Sequence, residues 1–268
     1  MRLYRNAKII IGIISVILLT TAGYAQVDSY PQPPFLINIP TAGSLERGSY
    51  ATELRMMPDG GVLAGVDIGL TSQFMLGVSY GGSHIIGEDS IQWNPQPGVQ
   101  VKYRLFDETM KFPAVALGFN SQGYHQYIER QDRYTLKSSG FYVALSKNYQ
   151  FLGNLGLHAG INYSLEDGDG DNDPNIFAGI DKDINREISI MVEYDAALND
   201  NETDTENAGE ITQELGRGRG YLNAALRWTF AEKFHIEFDV NNLLKNRQSG
   251  DTVPLPSREL KIVYIEYF

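Results

Sequence analysis

The sequence contains no cysteine, so neither a disulfide framework nor a lipid-bearing cysteine holds or anchors this chain. Its stability has to come from the fold. Cations are the minority, with 22 Lys and Arg against 33 Asp and Glu and a formal net charge of −11, a balance that repels phosphate and excludes nucleic acid as a partner. Past Leu19 there is no long apolar run, so no permanent membrane-spanning helix is expected. Helical periodicity is nearly absent from the rest.

What is present opens with "MRLYRNAKIIIGIISVILLTTAGYAQ". Arg2, Arg5 and Lys8 precede an apolar stretch from Ile9 to Leu19, and Gly23-Tyr24-Ala25 supplies small residues around a cut. That is the pattern of a secretory signal peptide, residues 1–25, cleaved near Ala25; the apolar stretch is short for a permanent anchor. Cleavage removes cations and no acids, leaving a still more acidic chain.

Short segments of alternating character fill most of the remainder. In "YLNAALRWTF", Leu222, Ala224, Leu226, Trp228 and Phe230 share one side, with Asn223 and Arg227 on the other. "FHIEFDVN" sets Phe234, Ile236, Phe238 and Val240 against His235, Glu237, Asp239 and Asn241. A period of two describes a strand with one apolar and one polar face. About twelve such segments are expected, near 48–57, 62–70, 74–82, 97–106, 113–122, 139–149, 155–165, 175–184, 188–197, 219–230, 234–243 and 258–268.

From the second segment onward the connections alternate short and long, which predicts an all-β, antiparallel transmembrane β-barrel with short periplasmic turns and longer extracellular loops. An even strand count places both ends of the barrel on the periplasmic side, and Phe268 then closes the last strand at the membrane interface. The competing architecture, a soluble β-sandwich, would bury its apolar faces against each other. Here the second face is charged, and aromatic residues such as Tyr80, Tyr149, Tyr163, Trp228 and Phe230 gather at segment ends, as interfacial girdles require. Residues 26–47, Pro-rich at the start and without period, form a periplasmic lead-in that either lines the barrel mouth or enters the lumen; residues 48–268 form the barrel.

The polar face defines a lumen lined by Glu53, Arg55, Asp67, Lys102, Arg104, Asp181, Asp183, Glu193, Asp195, Arg227, Glu237, Asp239 and Lys261. A barrel of about twelve strands is wide enough to hold these side chains and some water, and far narrower than a porin's channel. The expected interior is polar and largely filled, and the acid excess favours cations over anions. In the loop "EDGDGDNDP", Asp167, Asp169, Asp171 and Asp173 stand at every second position, a spacing that offers oxygens to Ca2+ as the alternative to a plain solvated loop. Tyr124, Tyr127, Tyr134 and Trp93, in the loops 83–96 and 123–138, offer rings for stacking on sugars. No other cofactor is implied. The four histidines, at 84, 125, 158 and 235, form no HxS pairing; with no serine visibly oriented by a base, the sequence reads as a non-enzyme. His158 and His235 fall on the lumen face, His84 and His125 in outer loops.

The segments "NIPTAGSLERGSY", "GVDIGLTSQFMLGVSYGGSHIIG", "PGVQVKYRLFDE" and "SSGFYVALSKNY" resemble the barrel region of the YjbH/GfcD group of outer-membrane proteins linked to exopolysaccharide production. The resemblance implies an envelope role in exopolysaccharide export or surface attachment, with polysaccharide or export components as partners beside outer-membrane lipid. Tyr264 and Phe268 resemble the terminal aromatic signal read by barrel-assembly machinery, with Glu266 standing where that signal prefers another aromatic. Two alternatives accompany this reading: a small cation-preferring pore, and a surface glycan-binding barrel.

Overall fold

The computed structural model describes residues 33–201, 218–246 and 256–268. The expected signal peptide and most of the acidic run in the longest loop lie outside the described residues. Alternation becomes strands: β1 (Ser49–Met57), β2 (Gly61–Gly69), β3 (Phe74–Ser83), β4 (Gln92–Trp93), β5 (Gly98–Phe106), β6 (Ala114–Asn120), β7 (Tyr124–Ile128), β8 (Arg133–Leu136), β9 (Gly140–Gln150), β10 (Asn154–Tyr163), β11 (Asn175–Asp183), β12 (Ile188–Asp195), β13 (Tyr221–Phe230), β14 (Phe234–Asn241) and β15 (Ser257–Tyr267).

Twelve of these close into one antiparallel barrel. Neighbours in sequence pair all the way round, and β15 returns to β1 in a register running from Ser49 opposite Tyr267 to Met56 opposite Leu260. No barrel edge is left for another chain to pair with. β4 is a two-residue ribbon on the end of β3, while β7 and β8 make a separate hairpin.

Local chemistry sets the short turns. The Thr71 hydroxyl accepts the N–H of Gln73 and of Phe74 (3.2 and 3.0 Å), and the Asn185 side-chain oxygen accepts those of Glu187 and Ile188 (both 2.8 Å). Each side chain satisfies backbone donors that the turn would otherwise strand.

The two faces of the wall differ as the period of two requires. Val66, Val78, Leu117, Ile161, Ile180, Leu226 and Phe238 stand exposed on the outside, and the inner face carries glycine, alanine, serine and charge. The apolar core lies inside the barrel, where Leu36, Ile37 and Ile39 pack with Tyr142, Ala144, Phe177, Met191 and Ala225. Nearer the short turns, Leu45 meets Ala51 and Met75, with Val263 and Ile265 against them. Residues 33–45 of the lead-in therefore occupy the lumen instead of lining its mouth. Gly179 on β11 makes room for them: a Cβ there would lie 2.4 Å from Leu36 Cδ2.

Candidate functional site

The lumen is filled from both ends, first by the segment 33–45. It folds as a tight turn in which Leu36 N–H donates to Ile39 O (3.0 Å) and Thr41 N–H to Pro34 O (3.1 Å). A turn buried in a barrel leaves other backbone groups without water, and such groups are costly unless paired. The wall supplies the partners as charges.

Glu193 of β12 accepts the N–H of Ile37 (3.0 Å), Asn38 (3.0 Å) and Ile39 (3.1 Å) on its carboxylate. Asn223 of β13 donates to the same group at 2.8 Å and steadies it. Lys102 of β5 does the converse: its ammonium donates to Pro34 O, to Thr41 O (3.0 Å) and to Gly43 O (3.1 Å), matching its three hydrogens to three carbonyls. Lys261 donates to Ile37 O (3.0 Å), Arg227 to Leu36 O (3.1 Å) and Arg55 to the Asn38 side chain (2.5 Å). Ala42 N–H donates to Ser146 Oγ at 2.8 Å.

These cations are themselves ordered by register. Arg227 stands opposite Glu237, Glu237 opposite Lys261 and Lys261 opposite Arg55, a row across β13, β14, β15 and β1. Glu237 accepts from Arg227 (2.8 Å) and from Lys261 (2.5 Å), and Arg55 donates to Glu259 (2.5 Å) with both side chains fully buried. Asp239 lies 3.9 Å from Lys261. Buried pairs of this kind contribute little net stability when intact, yet removal of one partner strands the other.

The β7–β8 hairpin fills the lumen from the long-loop side. Tyr124 lies beneath the Arg55 guanidinium, 4.1 Å from ring centroid to Cζ, and His125 Nε2 is 2.8 Å from Glu259 Oε1. His125 is thus turned inward, a correction to the outer-loop position expected for it. The root of the hairpin is tied to neighbouring loops: Glu166 accepts Tyr134 N–H (2.8 Å) and Ser138 N–H (2.9 Å), while Arg133 pairs with Asp200 (2.9 Å) and Asp169. Burial pushes the Glu166 carboxyl above its ordinary range, against the two N–H donors that favour the charged form. Burial also raises the Tyr134 hydroxyl to about 12.

Between turn and hairpin remains a small polar cavity of about 50 Å³, lined by Asn38, Asn162, Asn175, Glu193, Tyr221 and Asn223 among others. That is room for a few water molecules.

The expected lumen residues divide by depth. Arg55, Lys102, Glu193, Glu237, Asp239 and Lys261 are buried around the inserted turn. Glu53, Asp67, Asp181 and Arg227 share the same inner faces and are half-buried. Three lie at the rims: Arg104 donates to Ser72 O at the short turns (3.1 Å), Asp183 accepts from Ser189 there (2.7 Å), and Asp195 accepts from Asn175 (2.6 Å) on the long-loop side.

Two other expectations are corrected. The acidic loop is not assembled around a cation: Asp169 pairs with Arg133 and Lys137, Asp171 accepts Asn201 N–H (2.9 Å), Asp167 and Asp173 are exposed, and no group of three or more potential ligands gathers among the described residues. Protein cations occupy the place proposed for Ca2+. The four aromatic residues do not form one sugar platform either, since Tyr124 points into the lumen, Tyr134 is buried against Tyr127, and Trp93 stacks on Tyr80 (5.8 Å).

Sequence reasoning missed Leu36, Ile37 and Ile39 as core, Glu259 as a lumen acid, and the pairing of Ser146 with His158. The first had a signal in "FLINI", an apolar run framed by prolines. The others become visible only when strand register is known.

No protein-family model matches the sequence, and no curated relative matches it. Among solved structures, a KdgM porin is similar over 82% of this chain and 99% of its own, at 10% identity and a TM-score of 0.46. Outer membrane protein Omp33 of Acinetobacter baumannii is similar over 84% of this chain and 99% of its own, at 8% identity and a TM-score of 0.42. Functional assignment has to come from this chain's own wall and lumen.

Proposed function

We propose that the protein is an outer-membrane β-barrel that conducts small polar solutes and is held closed by its own residues 33–45 from one end and by the β7–β8 hairpin from the other. The membrane setting is supported by the outer wall. Exposed apolar side chains such as Val78, Ile161, Ile180 and Phe238 recur on successive strands, far beyond the patch a soluble monomer tolerates. Trp228, Phe230, Tyr264 and Phe268 lie near the short-turn rim, the depth at which aromatic girdles sit.

One observation carries the channel reading: the circuit of strand pairings is complete without the inserted turn. The wall holds that turn mainly through its own polar side chains, and these would line a hydrated passage once it left. Glu53, Asp67, Asp181 and Glu193 add to an acid excess that favours cations. Planar-bilayer recording tests this. The intact protein should be nearly silent, and a variant lacking both residues 33–45 and the β7–β8 hairpin, residues 124–136, should show discrete, cation-preferring steps. Silence from a folded, heat-modifiable variant would sink the channel.

Delivery to that membrane rests on the leader at 1–25, and assembly on recognition of Tyr264 and Phe268 by barrel-assembly machinery. An envelope role in exopolysaccharide export or attachment is a finer reading, supported by the YjbH/GfcD resemblance. Unchanged secreted polysaccharide in a deletion strain would remove it while leaving the channel in place.

A further inference from the structure

The lumen wall carries a serine, a histidine and an aspartate in hydrogen-bond sequence. Ser146 on β9 and His158 on β10 stand opposite one another in register, with Oγ 2.8 Å from Nδ1. The far nitrogen, Nε2, is 2.6 Å from Asp181 Oδ1 on β11. Gly156 makes this approach possible: a Cβ at that position would lie 2.0 Å from Asp181 Oδ1 and 2.9 Å from His158 Nε2. Ser146 is fully buried, and the Ala42 N–H of the inserted turn donates to its Oγ at 2.8 Å.

The roles follow from donor and acceptor chemistry. Asp181 fixes the imidazole with its proton on Nε2, which leaves the Nδ1 lone pair to accept the serine hydroxyl hydrogen. Nucleophile and base, and base and orienting carboxylate, are then each within hydrogen-bond reach. A simple anchor for Ala42 needs only an acceptor oxygen, and neither the imidazole nor the carboxylate would be required behind it.

We propose that Ser146, His158 and Asp181 form a nucleophilic acyl-transfer site, masked by Ala42, that takes small carboxylic esters entering the lumen when the turn is displaced. Ser146 Oγ adds to the ester carbonyl as its proton passes to His158 Nδ1. The ester C–O bond breaks and that proton leaves with the alcohol. Water, giving a proton to the same nitrogen, then attacks the acyl-serine; the acid departs and the proton returns to Ser146 Oγ. The proposal rests on the turn being displaceable, as in the channel reading, so the test reads the two separately.

The probe is a small fluorophosphonate, which forms an Oγ–P bond and releases fluoride. Full-length protein and its Glu193→Ala variant, in detergent, are exposed to it and the Ser146 peptide is weighed. The variant should carry the adduct and the intact protein none over the same exposure. His158→Gln in the variant background should slow labelling by about a hundredfold or more, and Ser146→Ala should abolish it. A variant lacking 33–45 serves if Glu193→Ala misfolds. A folded, conducting, turn-free barrel that takes no adduct overturns the site and leaves the channel. An adduct in a barrel that never conducts keeps the site and removes the channel. Labelling indifferent to His158→Gln, or equal in the intact protein, overturns the site or its masking.

Discussion

Arg55 of β1 and Tyr124 of β7 meet cation to ring, 4.1 Å apart, deep inside the barrel. The same guanidinium donates to Glu259 of β15 and to Asn38 of the inserted turn, both at 2.5 Å. One side chain therefore joins the wall, the hairpin that enters from the long loops and the segment that enters from the lead-in.

Replacing either member of that pair should have unequal effects. Arg55→Met removes the permanent cation from the buried Glu259 carboxylate, leaving His125 beside it, and should cost about 3 kcal/mol. Tyr124→Leu removes only the ring contact and should cost about 2 kcal/mol. The midpoint of heat-modifiable gel migration reads both, and equal losses would deny Arg55 its threefold role.

Glu193→Ala removes the acceptor for the N–H groups of Ile37, Asn38 and Ile39. Hydrogen exchange at those amides should quicken at least about tenfold, one lost hydrogen bond to a charged group being worth about 1.5–3 kcal/mol. Unchanged exchange would show that the turn is held by its own backbone bonds.

The Glu166 carboxyl gives a pH dependence of definite sign. Its folded pKa is raised by burial above the ordinary 4.5, so the folded state retains a proton that the unfolded state has lost. The contribution is greatest below 4.5 and declines as pH rises through the raised value. Protection of the Tyr134 and Ser138 amides, corrected for intrinsic exchange, should fall across that window, and Glu166→Gln should flatten the slope. Protection that rises with pH would contradict the assignment.

Calcium should leave the 164–174 loop unmoved, because Asp169 is already paired with Arg133 and Lys137. Asp169→Asn, by contrast, should loosen the loop and the hairpin root together. Calorimetric heat from Ca2+ at millimolar concentration would refute the ion-pair reading.

At the rim of the short turns Phe268 stacks on Tyr50, centroids 6.2 Å apart, and its N–H donates to Gly48 O at 3.0 Å. Phe268→Ser keeps the backbone bond and loses the ring, so the fraction of fast-migrating, folded barrel should drop. Lys233→Ala, which breaks an exposed pair with Glu266, should matter far less, as exposed pairs do. Equal losses would make the ring irrelevant.

Strand positions were legible in the sequence because alternation is a local property. The segment expected at 74–82 is Phe74–Ser83, and that at 188–197 is Ile188–Asp195. The β7–β8 hairpin looks like loop in the sequence: "YHQYI" and "RYTL" are too short to display a period, and His125 (φ 66) and Asp132 (φ 49) break the run with left-handed backbone. The partners of the acidic loop were not legible for a different reason, since the spacing of acids carries no information about which cations fold back onto them.

Sequence alone determined which side chains face out of the barrel and which face the lumen, because a strand of period two sorts its residues as soon as it forms. Tertiary structure alone decided that the lumen is full. Glu193 meets Ile37 across 156 residues, Lys261 meets the same residue across 224, and Ser146 meets His158 through the pairing of separate strands. Strand register and closure of the barrel bring those groups together, and no local pattern in the chain encodes the distances between them.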